Sequence, residues 1–197
     1  MQRYPSIPTF KEAGMPKIAS CIAFEKLDGS NLRTEYRKGQ WDKFGTRTKL
    51  FDQSHEVFGP AIALFRNEWQ EEITRILKHN KAQEATAFFE YYGPNSFAGV
   101  HDLNDEMTLT LIDIHVFKQG LMPAREFVKT FGHLAIPKIV YEGNFNQQFV
   151  LDIEDGKYDV VEGVVAKGGN KHSNLWIRKI KTKSYLDKLS KFGYEDT

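Results

Sequence analysis

Cysteine is nearly absent from the sequence, and several other features are missing altogether. The one cysteine, Cys21, excludes an internal disulfide and is typical of a reducing compartment. No apolar run approaches the about 20 residues that a membrane-spanning helix needs. Residues 1–17 lack the apolar centre of a signal peptide. We therefore expect an intracellular, cytoplasmic protein.

A large excess of charge is also missing, since Lys and Arg total 27 against 26 for Asp and Glu. Overall charge therefore does not indicate a nucleic-acid partner. Between residues 167 and 191, however, Asp187 is the only acid among many cations. Trp176, Ile177 and Ile180 interrupt these cations, so we expect part of the segment to be anchored in the fold. Such a segment suits a polyphosphate or a nucleic-acid backbone, and a solvated basic tail is the ordinary alternative.

Repeats, low-complexity segments and linker-like stretches are not found either. The chain has 197 residues, of which 41% are hydrophobic and 27% charged, as is typical of a globular domain with its own core. We expect one catalytic domain over residues 1–197, without a C-terminal accessory domain.

Apolar periodicity predicts more strands than helices. Helical spacing indicates an amphipathic helix over residues 60–79 and shorter helices over 124–131 and 184–191. Strands are predicted at residues 21–24, 32–37, 41–46, 86–92, 109–117, 160–166 and 175–181. Strands and helices do not alternate, which favours an α+β fold with mainly antiparallel sheets.

The stretch FEKLDGS, residues 24–30, places Lys26 two residues before Asp28 and Gly29. The ordinary explanation is a strand that enters a turn, because Asp-Gly is a common turn dipeptide. The alternative is that Lys26 is a nucleophile held at a bend, which requires partners elsewhere in the chain.

Four later stretches offer such partners. They are GTRTK with Arg47, FFEYYG with Glu90, VEGVVAKGG with Glu162 and Lys167, and WIRKIKTK with Lys179 and Lys181. The two lysines of the last stretch share a face, because side chains alternate along a strand. Taken singly, the four stretches are explained as well by a surface cation, a satisfied carboxylate, a turn residue and an exposed strand face, in that order.

Together and in order, KLDGSN, TRT, FFEYYG, EGVVAK and KIK resemble the motifs of the covalent nucleotidyltransferase superfamily, the polynucleotide ligases and mRNA capping enzymes. The resemblance covers about residues 26–181 and implies a nucleotidyltransferase, ATP-grasp-like catalytic domain. Asn31 follows the first motif where DNA ligases usually have arginine. It makes the sequence most similar to nick-sealing RNA ligases of the bacteriophage and kinetoplastid-editing type, and a virus-encoded protein is compatible with that resemblance.

The resemblance implies that Lys26 carries AMP, with ATP as co-substrate and Mg²⁺ as the metal. A free lysine titrates near ~10.4, so the site must favour the neutral amine. Lys179 and Lys181 are placed by the resemblance on the α-phosphate, where their charge favours that form and stabilises the transferring phosphoryl group. Glu162 acts on the water shell of the metal or on Lys26.

Further nucleotide-binding residues follow from the same resemblance. Relatives often stack an aromatic residue on adenine, but this sequence has an isoleucine there, so an apolar slot between Ile112 and Val164 is expected. The remaining positions are Glu90 on the ribose hydroxyls, Arg47 on the sugar and the 5′-phosphate end, Asn31 near the phosphate, Asp28 in support of the motif loop, and Glu25 beside the nucleophile.

The expected partner is RNA or a nicked nucleic-acid duplex. Two alternatives remain open from the sequence. A minimal ATP-dependent DNA ligase would have the same site, and a degenerate nucleotidyltransferase fold would bind nucleic acid without catalysis.

Overall fold

Two sheets form the framework of the protein, of which a computed structural model describes residues 1–94 and 104–193. The strands in chain order are β1 (Ser20–Glu25), β2 (Ser30–Arg37), β3 (Gln40–Thr46), β4 (Leu50–Phe51), β5 (Glu84–Tyr92), β6 (Thr108–Val116), β7 (Gly120–Leu121), β8 (Ile139–Asn144), β9 (Gly163–Gly168) and β10 (Trp176–Lys181). One sheet has the order β4-β3-β2-β5-β6-β7 and the other β10-β9-β1-β8. All of these strand pairs are antiparallel.

Helices pack against both sheets. They are α1 (Phe10–Ala13), α2 (Gly59–Leu64), α3 (Gln70–His79), α4 (Ala124–Phe131), α5 (Gln147–Glu154) and α6 (Lys183–Lys191), with a π-helical segment (Phe65–Trp69) between α2 and α3 and a 3₁₀ turn (His172–Asn174) before β10.

Strand β1 separates two hydrophobic cores. Its side chains alternate, so that Ile22 and Phe24 enter the core shared with the six-stranded sheet, α2, α3 and α4. Cys21 and Ala23 enter a second core with residues of α5, β9 and β10. Because both faces of β1 are buried, the end of this strand is a rigid support for the residues that follow it.

The α+β prediction with antiparallel sheets is confirmed. Helix α4 spans the predicted residues, Ala124–Phe131. The helix predicted at residues 60–79 is present as α2, the π-helical segment and α3, and its apolar residues Ile62, Phe65, Trp69 and Ile73 are buried.

The predicted start of β9 at residue 160 is wrong. The strand begins at Gly163, where φ is +145°, a backbone conformation that other residues rarely adopt. A Cβ at Gly163 would lie 2.0 Å from the Ile180 carbonyl oxygen, so the close approach of β10 requires glycine there. Val161 lies before this point and is exposed. The mostly apolar sequence of residues 160–166 wrongly indicated that the strand included it.

Strand β8 and helix α5 were not predicted. Strand β8 is an edge strand with mostly exposed or half-buried residues, so it lacks a clear alternation. Helix α5 carried a usable signal: Asn146 caps it by accepting the Phe149 N–H at 2.8 Å, and Phe149, Val150 and Ile153 are buried at helical spacing. The short elements α1, β4 and β7 were also not predicted.

Cys21 is buried, with 3% of its surface exposed, and this burial raises the pKa of its thiol to about 11. Within residues 1–94 and 104–193, every helix is too short or too polar to cross a membrane.

Candidate active site

A cavity of about 440 Å³ opens between the two sheets, near the end of β1. Seven of the eleven site residues expected from the sequence line it, namely Glu25, Lys26, Asn31, Arg47, Glu90, Ile112 and Lys179. Cavities of this size hold small organic ligands. The other four, Asp28, Glu162, Val164 and Lys181, are placed behind or beside this lining.

Lys26 follows β1 directly, and its N–H donates to the Gly163 carbonyl at 2.9 Å. Its Nζ lies 2.8 Å from Glu162 Oε1, and the side chain is 23% exposed. The backbone is therefore held by β9, while the amine reaches the cavity and remains accessible.

Glu162 is the central anion of the site and is only 4% exposed. Its Oε1 is 3.7 Å from Lys181 Nζ in addition to the contact with Lys26. Its Oε2 is buried and has no hydrogen-bond partner within the described residues. Burial raises the pKa of the Glu162 carboxyl, although Lys26 and Lys181 oppose that shift.

The bend after Lys26 is held tightly against β5. A Cβ at Gly29 would lie 2.5 Å from the Tyr91 carbonyl oxygen and 2.8 Å from Tyr92 Cβ, so no larger residue fits without a shift of the backbone. Asp28 Oδ1 accepts a hydrogen bond from the Tyr185 hydroxyl of α6 at 3.1 Å. Asp28 thus ties the motif loop to the last helix.

Glu90 belongs to β5, where it pairs in register with Asn31 of β2, and it lines the cavity together with Lys26. Removal from bulk solvent raises the pKa of the Glu90 carboxyl to about 8. The cation of Lys26 and the N–H of Gly29 lower this pKa, whereas the nearby Glu162 carboxylate raises it. An ionised Glu90 is therefore costly unless a ligand compensates its charge.

The KIK motif lies on β10 and shows the expected alternation of side chains. Lys179 lines the cavity and Lys181 reaches Glu162, while Ile180 between them is 4% exposed and packs in the second core. Lys179 and Lys181 therefore lie on the face of β10 that is turned away from the second core.

The predicted apolar slot is wrong by one residue. Val164 is fully buried in the second core, on the same face as its cross-strand neighbour Ile180, and the residue that lines the cavity is Val165. Val165 pairs with Phe24 and Lys179, which also line the cavity. Because strand side chains alternate, the choice between adjacent valines depends on the register of β9.

Ile112 reaches the cavity through an irregularity of β6. Phe88 pairs with Asp113 and Phe89 with Leu111, so Ile112 is the extra residue of a β-bulge. A bulge re-aims a side chain and leaves its backbone groups outside the ladder. Here the Ile112 carbonyl accepts a hydrogen bond from Lys167 Nζ at 2.7 Å.

Several residues that line the cavity were not predicted from the sequence, among them an N-terminal segment and Lys167. From the N-terminal segment, Tyr4, Pro5, Ser6 and Ile7 line one wall. No pattern in the sequence indicated that this segment would cover the site. Lys167 belongs to the EGVVAK stretch but received no role there.

The carboxylates of the site fit a divalent metal ion that is bound mainly by phosphates and water. The described residues contain no group of three or more His, Cys, Asp or Glu residues that would hold a metal ion by themselves. Mg²⁺ at a nucleotide commonly takes one or two carboxylates and keeps several waters. The buried, unpartnered Glu162 Oε2 is a suitable acceptor for such a water.

No family model and no curated protein matches the sequence. Solved structures do match: Naegleria gruberi RNA ligase with PPi gives a TM-score of 0.71 at 15% identity, over 97% of this chain and 58% of that chain. The chain has the fold of these RNA ligases. Mutants of the same enzyme with ATP and Mn, or with AMP and Mn, give TM-scores of 0.69 and 0.68 at 18% and 16% identity, over 96% and 95% of this chain.

The RNA ligase fold accounts for nearly all of this chain, whereas the chain spans only 58% of the length of these RNA ligases. At 15% to 18% identity, the likeness is one of architecture.

Proposed function

We propose that the chain is an ATP-dependent RNA ligase that joins 3′-OH and 5′-phosphate ends through AMP carried on Lys26. The observation that carries this proposal is the position of the Lys26 amine. It stands at a cavity of nucleotide size, 2.8 Å from the buried Glu162, and Lys179 and Lys181 lie on β10, two strands away in the same sheet.

The cavity suits an adenine nucleotide. The base would lie between Ile112 and Val165, and Glu90 would accept hydrogen bonds from the ribose hydroxyls. Hydroxyl donors favour the charged form of a carboxylate. ATP binding would therefore lower the pKa of Glu90 from its raised value and release a proton near neutral pH.

Adenylylation transfers AMP to the lysine. The lone pair of neutral Lys26 Nζ attacks the α-phosphorus, the bond to the β-phosphate oxygen breaks, and pyrophosphate leaves with that electron pair. The proton of the attacking amine would pass to Glu162, which lies in contact with Nζ and whose pKa is raised. Lys179 and Lys181 would stabilise charge on the α-phosphate oxygens. A bound Mg²⁺ supplies charge neutralisation for the triphosphate.

Sealing requires two further transfers. The 5′-phosphate of the nucleic acid attacks the lysyl-AMP phosphorus and releases the Lys26 amine. The 3′-OH then attacks that 5′-phosphate, and AMP leaves. Arg47 lines the cavity and forms no hydrogen bond or ion pair within residues 1–94 and 104–193, so its guanidinium is available for a phosphate.

The preference for RNA rests on Asn31 and on the likeness to RNA ligases of known structure. Asn31 is half-buried beside Glu90, and its Oδ1 has no hydrogen-bond partner among the described residues. A carbonyl oxygen at the nucleotide phosphate is a hydrogen-bond acceptor. It therefore suits a hydroxyl group better than an additional anion.

The test begins with mass measurement after incubation with ATP and magnesium. The wild-type protein should gain one AMP through an acid-labile bond, and Lys26→Ala should gain none while remaining folded. Lys43→Ala is the matched control, because Lys43 is a surface lysine of β3 paired with Glu35. Absence of AMP on the wild-type protein would favour the non-catalytic alternative.

Sealing of matched nicks then separates RNA ligase from DNA ligase. The two substrates differ only in ribose or deoxyribose on the 3′-OH side. Faster sealing of the ribose nick is expected, and equal or faster sealing of the deoxyribose nick would assign a DNA ligase.

A further inference from the structure

The N-terminal segment of residues 1–9, which we call the strap, runs across both sheets beside the cavity. The Gln2 carbonyl accepts a hydrogen bond from Arg33 Nη1 of β2 at 2.9 Å. At the other end of the strap, the Pro8 carbonyl accepts the N–H of Lys179 at 3.1 Å. The strap is therefore attached at both ends, and its middle forms a wall of the cavity.

Tyr4 is the buried anchor of this strap. Its hydroxyl donates to Asp113 Oδ2 at 2.9 Å, and its ring packs on Phe88 with centroids 4.9 Å apart. Tyr4 is 8% exposed and Asp113 only 1%. Burial and the adjacent Asp113 carboxylate raise the pKa of the Tyr4 hydroxyl, which keeps it protonated as a donor.

The same Asp113 oxygen also holds Lys167, whose Nζ lies 2.9 Å away. Lys167 in turn donates to the carbonyl of Ile112, the bulged residue of the apolar slot. Its ammonium group also lies 5.1 Å from the centroid of the Phe24 ring. A continuous set of contacts thus joins the strap to the wall on which the base would lie.

We propose that Tyr4 is a positioning residue for the nucleotide, and that the strap it anchors must be docked on Asp113 for ATP to bind tightly. This rests on the proposed function. Pro5, Ser6 and Ile7 line the same cavity as Ile112 and Val165, so an undocked strap removes part of the cavity wall. A ligand that binds only the docked state shifts the strap towards docking.

Two prolines favour docking of the strap. Pro5 and Pro8 restrict φ and so reduce the number of undocked conformations that are lost on docking. A short segment with such restrictions can be held by one charged hydrogen bond and a few contacts. Loss of the Tyr4 hydroxyl should therefore have a measurable effect on the docked population.

The first experiment measures self-adenylylation of Tyr4→Phe against ATP concentration. Because a hydrogen bond to a charged group is lost, the KM for ATP should rise at least about tenfold. The kcat should stay within about twofold, because Lys26 and Glu162 are unaltered. Tyr141→Phe is the matched control: its hydroxyl donates to the Asn144 carbonyl at 3.0 Å on β8, outside the cavity lining, and its KM should not change.

The second experiment measures amide hydrogen exchange of the strap with ATP bound but not transferred, in a Lys26→Ala background. ATP at 100 times its Kd should slow exchange of strap amides by up to about 100-fold through linkage. Adding Tyr4→Phe should speed exchange of the same amides in the absence of ATP.

Pro5→Gly provides a second variant if Tyr4→Phe does not fold. It keeps the Tyr4 contact but enlarges the undocked ensemble, and the KM should rise about twofold to fivefold. The inference would be overturned if the KM is unchanged in the folded variants and ATP does not slow hydrogen exchange of the strap amides. The proposed function would still stand in that case, provided that the wild-type protein is adenylylated. A wild-type protein that gains no AMP would instead overturn the proposed function, and strap protection by ATP would still support the strap as part of a nucleotide site.

Discussion

Replacement of Glu90 by glutamine tests the electrostatics of the cavity in ATP-free protein. Glutamine keeps the shape of the side chain and removes its titration. Burial raises the pKa of Glu90 to about 8, compared with 4.5 for a free side chain. Between these pH values the folded protein retains a proton that the unfolded chain has released. The free energy of unfolding therefore decreases as pH rises through this window, because the unfolded chain binds fewer protons than the folded protein.

The magnitude follows from the difference in pKa. About 3.5 units at 1.36 kcal/mol each give an upper limit of about 5 kcal/mol. Below pH 4.5 both states are protonated and the penalty is absent, whereas above pH 8 it is complete. Burial raises the pKa of Glu162 as well, so part of the same pH dependence should remain in Glu90→Gln.

The assay is urea unfolding of the ATP-free protein at pH 5, 6.5 and 8. The wild-type protein should lose stability across this range, and Glu90→Gln should lose clearly less, so that the variant is more stable at pH 8 and binds ATP more weakly. Glu142→Gln removes an exposed carboxylate of β8 and controls for the general change of charge. Parallel pH curves for the wild-type protein and Glu90→Gln would refute the assignment of a raised pKa to Glu90.

Three further predictions concern the cavity walls and the nucleic acid. Alanine at Lys179 or Lys181 should slow adenylylation by about 10²–10³, whereas Ile180→Val should have little effect on the rate; near-normal rates in both lysine variants would make this an ordinary exposed strand face. Val165→Ala should raise the KM for ATP with little loss of stability, and Val164→Ala should cost about 2 kcal/mol in urea unfolding with little effect on KM. Added salt should reduce nick sealing more than self-adenylylation, and nicked duplexes should be joined better than single strands, because phosphate contacts weaken with salt while the nick aligns both ends. Equal salt sensitivity of the two steps would contradict this account of substrate binding.

Local sequence patterns determined much of the secondary structure and the order of the motifs. Period-two alternation correctly placed Lys179 and Lys181 opposite Ile180, and helical spacing located α4 at its observed bounds. These properties depend on residues close together in the chain. They could therefore be read without knowledge of the fold.

Tertiary structure decided which groups form the cavity. The pattern of alternating residues is the same for Val164 and Val165, and only the start of β9 at Gly163 and its pairing with β1 and β10 place Val165 in the cavity. The contact between Tyr4 and Asp113 joins residues 109 positions apart, and neither the edge strand β8 nor the bulge at Ile112 has a periodic signal. Such features arise when sheets pair and pack, because the free energy of burial and of hydrogen bonding then selects one register among several that the local sequence permits.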